Sequence, residues 1–491
     1  MNVYTRFYNI LADLIRWVED NTEEDFFIKY RGISRAYVMK MNRALGALFP
    51  ELIQQETYQT LEIVDDDRWD DVFFERLIDF IDKCKEDKKS RNNKGDVLVQ
   101  LIHKLDKGLS ERILAGEDYL NISKPVNCLN TNWNETQIML LPRCRCLWER
   151  NSQGKQYGSG LMNDMKSMYY IRTEDLKGYE LRNVFLGKTF FSYRKKLRIG
   201  VSPITNKDVL KVSYYEKENS VYFSVNGLRK PSNIRSRMRN ILQKARDAGV
   251  DIMLFPEMLG MEVLIEDYRG MYEDDWDGKY PELLLFPSIW NAHSNTCVVT
   301  EMDGTELGRQ QKQNPFLYDL GKQEKAKMRE LATEAIEGLE PDKTIWLFHI
   351  EGIGRMAVMI CMDFLERNYR RILLDVLKGT FLMVPSFSTG CFDFENVMKE
   401  CCQYDCSVVW GNCCSAMNLE NAKRENFNNI GFIQFSGKLT DSVGKISIEE
   451  KNRCNKKSCK KDCLFINDIP LEADGTTRER REFYVAEKDL L

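Results

Sequence analysis

Three residues of unlike chemistry each close or follow an apolar, strand-like run. Glu257 ends DIMLFPE, Lys312 lies in GRQQKQNPF, and Cys361 ends RMAVMIC. A thiol, a carboxylate and an ammonium together can attack an electrophilic carbon: the sulfur is the nucleophile, the carboxylate moves protons, and the cation meets charge developing on oxygen. The residues after Cys361 read as a helix, whose N-terminal partial charge would favour a thiolate. Pro256 fixes the backbone before Glu257, and Pro315 follows Lys312. Each residue alone has an ordinary explanation, since one of fifteen cysteines in an apolar strand is simply packed, and a charge after a strand is simply solvated. Only their combination points to chemistry. The chain has three histidines, His103, His293 and His349, which disfavours a Cys-His arrangement, whereas a carboxylate base needs none.

The elements that must position this trio are legible from apolar periodicity. After Lys196 the pattern alternates strands and helices. KLRIGVSPI, DIMLFPE, LLLFPSIW, NTCVVTEMDG, RMAVMIC, TFLMVPSF and SVVWGN read as strands, and 234–248, 367–377 and 394–403 as helices. Repeated β-α-β units with apolar strands imply a layered α/β domain. The first half differs. Val3, Phe7, Ile10, Leu11, Leu14, Ile15 and Val18 make one helical stripe, with further helical patterns at about 35–49, 69–84 and 96–115. The charged stretch 83–95 reads as a solvated helix end and loop, 151–160 as a loop by composition, and the region 121–191 as irregular. These observations place a boundary near 190, with a mainly helical region over 1–190 and an α/β domain over 191–491.

The trio, in this order, resembles the carbon-nitrogen hydrolase (nitrilase) superfamily, whose glutamate sits in an FPE setting and whose cysteine sits in an I-C-x-D setting. The matching residues are Phe255, Pro256 and Glu257; Lys312; and Ile360, Cys361 and Asp363. KLRIGVSPI is similar to the family's opening strand, Gly304 to the turn before its lysine, VPSFSTG to the segment after its cysteine, and SVVWGN with Asn412 to a later strand. The resemblance implies a four-layer αββα sandwich and a thiol hydrolase acting on a linear amide or, less readily, a nitrile. It further implies Glu257 as general base, Lys312 as oxyanion stabiliser with help from the Met362 amide, and a thioester intermediate. The family carries a second glutamate soon after its lysine. Here Asp319 and Glu324 are the candidates for that role. Phe316, Tyr318, Ser386 and Phe387 are pocket candidates by position.

Composition sets the outer limits. A formal charge of -4, from 71 basic and 75 acidic residues, gives no global attraction to nucleic acid or an anionic membrane. The N-terminus lacks the apolar core of a secretory signal, and no apolar run approaches the roughly 18 residues of a membrane span. The expectation is therefore a cytoplasmic protein with reduced thiols and no membrane partner. The GKT at Gly187 lacks the glycine of a phosphate-binding loop and reads as a strand edge. YEDD at 272–275 reads as a surface loop, and the acidic run 64–71 as another such cluster. Cys454, Cys459 and Cys463 miss zinc-ligand spacing. No cofactor or metal is expected. The partners expected are a small-molecule amide, further copies of the chain in a dimer or larger oligomer, and a protein bound through 1–190. The competing reading is a nitrilase-like scaffold that oligomerises and binds a partner with little turnover, as in bacterial antiviral defence proteins that carry such domains.

Overall fold

The apolar stripe that opens the chain folds as α1 (Val3–Asn21), burying Phe7, Leu11, Leu14, Ile15 and Val18. The Asn2 side chain closes its first turn by accepting from the Thr5 amide at 2.8 Å. This is a computed structural model, and it describes residues 2–23, 25–86, 91–115, 128–144, 146, 161–163, 165, 167–186, 196–205, 209–274, 280–322, 333–418, 430–435 and 462–470. The loop at 151–160, Gly187, Glu324, Cys454 and Cys459 lie outside them. The chain divides into two compact units, Met1–Cys144 with Arg150–Gly178, and Arg145–Glu149 with Tyr179–Leu491.

In the first unit α1 is followed by α2 (Phe26–Arg31), α3 (Arg35–Leu48), α4 (Asp71–Glu86), α5 (Arg91–Gly108), α6 (Ser110–Ala115) and α7 (Trp133–Thr136). An antiparallel ribbon of β1 (Ile138–Pro142) and β2 (Met168–Arg172) completes it. Phe7 sits among the rings of Trp69, Phe73 and Phe74, with centroids at 5.1, 6.1 and 5.0 Å. Part of the acidic run at 64–71 shapes the chain: Asp70 accepts from the Phe73 amide at 2.8 Å and caps α4, while Trp69 Nε1 donates to the Val64 carbonyl. Two sequence expectations change here. The helix expected over 96–115 breaks at Leu109 into α5 and α6, and α5 begins at Arg91, inside the stretch expected as a loop. The buried stripe of Leu98, Leu101, Ile102 and Leu105 anchors α5.

The second unit starts earlier than the boundary expected near 190, because β3 (Glu180–Leu186) pairs in parallel with β14 (Thr344–Ile350). In order follow β4 (Lys196–Val201), the hairpin β5 (Leu210–Lys217) and β6 (Ser220–Leu228), α8 (Pro231–Asp247), β7 (Ile252–Leu254), α9 (Val263–Asp274), β8 (Leu283–Leu285), β9 (Ile289–Asn291), β10 (Ser294–Glu301), β11 (Glu306–Gln311), β12 (Leu317–Asp319) and β13 (Glu334–Glu337). After β14 come β15 (Gly354–Val358), the short helices α10 (Met362–Leu365) and α11 (Arg367–Arg371), β16 (Phe381–Ser386), α12 (Phe392–Cys401), β17 (Ser407–Asn412), β18 (Gly431–Gln434) and β19 (Phe465–Pro470). One sheet has the order β11-β10-β8-β7-β4-β19 with β9 on β10; another runs β18-β17-β16-β15-β14-β3; a small third sheet runs β12-β13-β6-β5. The helix expected over 367–377 ends as α11 and passes into a π turn at Ile372–Val376. Tyr272, Glu273 and Asp274 belong to α9, not to a surface loop, because Leu264, Ile265, Tyr268 and Met271 bury one face of that helix.

The two large sheets face each other. Strand alternation sends Met253 and Phe255 into a core shared with Ile234, Met238, Ile241 and Leu242 of α8 and with Leu264 and Tyr268 of α9, while Leu254 faces the second sheet. A Cβ on Gly411 of β17 would stand 2.9 Å from Val201 Cγ1 and 3.1 Å from Leu254 Cδ2. On the far side of the second sheet, Phe394 of α12 packs on Trp410 with ring centroids 5.1 Å apart. Within each sheet the central strands are parallel, β4-β7-β8 and β15-β16-β17, so their C-terminal ends point one way. That end is where α/β sheets place reactive groups. Among the described residues no helix is long and apolar enough to cross a membrane.

Because the sheets approach this closely at Gly411, Gly411→Ala should destabilise the second unit by about 1–3 kcal/mol through overpacking. Urea unfolding followed by tryptophan fluorescence measures it, and an unchanged midpoint would refute so tight an approach.

Candidate active site

Three strand ends converge. Glu257 follows β7, Cys361 follows β15, and β16 between them offers its last carbonyls to both: the Cys361 amide donates to Pro385 O at 2.9 Å and the Glu257 amide to Ser386 O at 3.4 Å. The Phe387 amide, just beyond β16, donates to Glu257 Oε2 at 2.9 Å. Lys312 leaves β11 and is held by its own amide, which donates to Asn295 O on β10 at 2.7 Å. The structure therefore brings the three sequence-derived residues together on the framework of both large sheets.

Lys312 is fully buried, and its ammonium donates to Glu257 Oε1 at 2.8 Å and to Glu337 Oε2 at 2.6 Å. Both carboxylates are themselves fully enclosed. Burial alone would lower the lysine's proton affinity, but Glu257 and Glu337 outweigh it and hold the ammonium well above its usual range. For Glu337, burial raises the carboxyl and the neighbouring Glu257 adds to this, while Lys312 opposes them; the net direction is upward. Glu337 also accepts from the Phe316 amide at 2.9 Å.

Cys361 is 6% exposed and has φ 49° and ψ -102°, a left-handed backbone that a non-glycine residue adopts only at a cost of about 1–3 kcal/mol. The strain places it at the N-terminus of α10, so Met362 opens the helix and its amide lies among the first-turn donors that helices leave unpaired. Burial pushes the thiol up, Glu257 and Glu337 push it further, and Lys312 and the Phe387 amide pull it down, with a net rise. The sulfur thus rests as a thiol beside a carboxylate network. Asp363 anchors the lysine loop to this turn: its Oδ1 accepts from the amides of Gln313 and Asn314 at 2.9 and 2.7 Å and from Asn314 Nδ2 at 2.9 Å. Burial raises the Asp363 carboxyl to about 7 despite those donors and Lys312. Asn412 pins the loop after β16, accepting from the Ser388 amide at 2.8 Å and donating to Ser388 O at 2.9 Å.

The remaining sequence candidates separate. Asp319 is exposed at the end of β12, and Glu324 lies outside the described residues; the second carboxylate that meets Lys312 is Glu337. Sequence reading missed it because it comes well after the lysine, beyond a departure and return of the chain through β12 and β13. Its signal was parity. In EAIE the residues Ala335 and Glu337 share the buried face of a strand. Asn295, on the buried parity of β10, was missed too; its Nδ2 donates to Glu257 Oε1 at 2.9 Å and to Glu337 Oε1 at 3.4 Å. Of the pocket candidates, Phe316 is exposed, Tyr318 packs against Phe223 in the core, and Ser386 is buried and accepts from Trp410 Nε1 at 3.0 Å. Phe316 and Phe387 touch the carboxylate network through their amides, at Glu337 and Glu257 respectively. Among the described residues no cluster of His, Cys, Asp or Glu could hold a metal ion.

No protein-family model matches the chain, and no curated protein matches it. Among solved structures the chain is similar to an amidase from Nesterenkonia sp., at 14% identity and a TM-score of 0.37, covering 58% of this chain and 95% of that one. It is also similar to Saccharomyces cerevisiae Nit3, a member of branch 10 of the nitrilase superfamily, at 12% identity and TM-score 0.35, covering 59% and 97%. A third is the C. elegans NitFhit protein, at 17% identity and TM-score 0.35, covering 56% and 61%.

Two consequences are measurable. Lys312→Met leaves two buried carboxylates without a cation, so it should cost about 3–5 kcal/mol of stability at neutral pH, with the deficit shrinking on acidification as protons replace the lost charge. A deficit that does not vary with pH in urea titrations would contradict this. For Asp363, the native carboxyl near 7 binds its proton more tightly than the unfolded one near 3.8. Its contribution is therefore fully present below about 4 and lost as pH rises through about 7. Asp363→Asn should flatten the stability-pH profile across that window; an unaltered slope would show that Asp363 does not titrate there.

Proposed function

We propose that the second unit is a carbon-nitrogen hydrolase of the nitrilase type, a four-layer αββα sandwich with α8 and α9 outside one sheet and α11 and α12 outside the other. The observation that carries this reading is the buried Lys312 ammonium shared between Glu257 and Glu337 beside the strained Cys361. The order FPE, lysine, I-C-x-D along the sequence supports it.

In this reading the substrate is a small linear amide, with a nitrile the less favoured choice. Glu257 takes the Cys361 proton as sulfur bonds to the carbonyl carbon, and the carbonyl electron pair moves onto oxygen. Lys312 and the Met362 amide face that oxyanion, and Lys312 keeps its proton throughout. Glu257 then returns the proton to the leaving nitrogen, the C–N bond breaks, and a Cys361 thioester remains. Water attacks it with Glu257 again as base, and collapse of the second tetrahedral species releases the carboxylic acid and restores the thiol. Glu337 takes no proton in this scheme. It fixes the ammonium, the role for which Asp319 and Glu324 were the sequence candidates. In this reading the helical unit binds a protein partner, in addition to the hydrolysis by the second unit.

The test is peptide mapping by mass spectrometry after treatment with 2-chloroacetamide, a small primary amide from which a thiolate displaces chloride. Cys361 should label at least tenfold faster than the other thiols, and Glu257→Gln should slow it at least tenfold. Labelling spread evenly over the cysteines, or indifferent to Glu257, would overturn the assignment.

A further inference from the structure

Asn295 occupies the midpoint of the charge network without carrying a charge. It is fully buried on β10, and its two halves do different work. Its carbonyl accepts the Lys312 amide at 2.7 Å, which sets where the lysine leaves β11. Its Nδ2 donates to one oxygen of each carboxylate, Glu257 at 2.9 Å and Glu337 at 3.4 Å, the same two groups that receive the Lys312 ammonium. All three charged groups are therefore tied to one side chain and its backbone. Its Oδ1 is buried and accepts no hydrogen bond from the described residues. A buried amide that leaves its oxygen unpaired while its nitrogen meets two carboxylates is held in place by the carboxylates, since rotating the amide would set oxygen against oxygen.

We propose that Asn295 is a positioning residue of this site, holding Glu257 and Glu337 on either side of Lys312 and keeping Glu257 aimed as the proton acceptor for Cys361. The inference rests on the hydrolase reading above. The chemistry explains the residue type. An aspartate would place a third negative group among two carboxylates and one ammonium, serine is too short to span both, and an apolar side chain offers no donor. The charged and titratable groups facing Asn295 are Glu257 after β7, Glu337 on β13 and Lys312 after β11, with Cys361 after β15 adjoining them. An N–H donated to a carboxylate favours its ionised form, so loss of this donor makes proton uptake by the network easier.

The test is the pH dependence of Cys361 labelling by 2-chloroacetamide in the wild type, Asn295→Ala and Asn295→Asp, with thermal melts to confirm folding. The expected result is a rate reduced about tenfold or more in both variants. The acid limb of the profile should move to higher pH by about one unit in Asn295→Ala and further in Asn295→Asp. A purely structural loss would lower the melting temperature and leave the acid limb where it was. Three results overturn the proposal: folded variants whose pH profile matches the wild type, a uniform loss of rate without a shift, or failure of both variants to fold, which would make Asn295 a structural residue. Failure of the hydrolase reading is distinguishable, since wild-type Cys361 would then label no faster than other thiols or independently of Glu257.

Discussion

The second unit depends on one buried cation. Lys312 has left water completely, and the desolvation penalty for an ammonium is several kcal/mol even after relaxation. It is retained only because two carboxylates, Glu257 after β7 and Glu337 on β13, meet it at hydrogen-bonding distance. Those carboxylates are equally dependent on the lysine, since each would otherwise be an uncompensated buried charge. Such a network is costly to assemble and offers little to stability compared with an apolar core, which is a reason to look for chemistry in it.

The fold supplies what the network needs. Parallel central strands in two facing sheets deliver Glu257 and Cys361 at corresponding ends, and the end of β16 ties them together through Pro385, Ser386 and Phe387. Close approach of the sheets at Gly411 keeps this geometry fixed. The positive φ of Cys361 is the price of turning a strand into a helix in one residue, and it sets Cys361 at the N-cap of α10. Asp363 ties that turn to the loop that follows Lys312 by hydrogen bonds.

What was legible in the sequence follows from these physical roles. Glu257 and Cys361 stood out because strand ends carry reactive groups and each is preceded by an apolar run with few alternatives to a strand, and Lys312 because of its place in order between them. The α/β alternation after Lys196 and the amphipathic stripe of α1 were readable for the same reason, periodic burial. Glu337 and Asn295 were not, because a polar residue at the buried parity of a mixed strand looks like half of an ordinary exposed pattern until its partners are known. The strands β5 and β13 were missed likewise: their exposed Lys211, Glu216, Lys217 and Glu334 mask the alternation. β3 was assigned to the wrong unit because only its long-range pairing with β14 reveals where it belongs.

A double-mutant cycle tests whether one ammonium is shared by two carboxylates. Glu257→Gln and Glu337→Gln should each cost little in urea unfolding at pH 7, since either leaves a neutral ion pair. The double variant strands a buried cation, and it should lose about 1–3 kcal/mol more than the sum of the two. Additivity within experimental error would mean that Lys312 does not join the two glutamates.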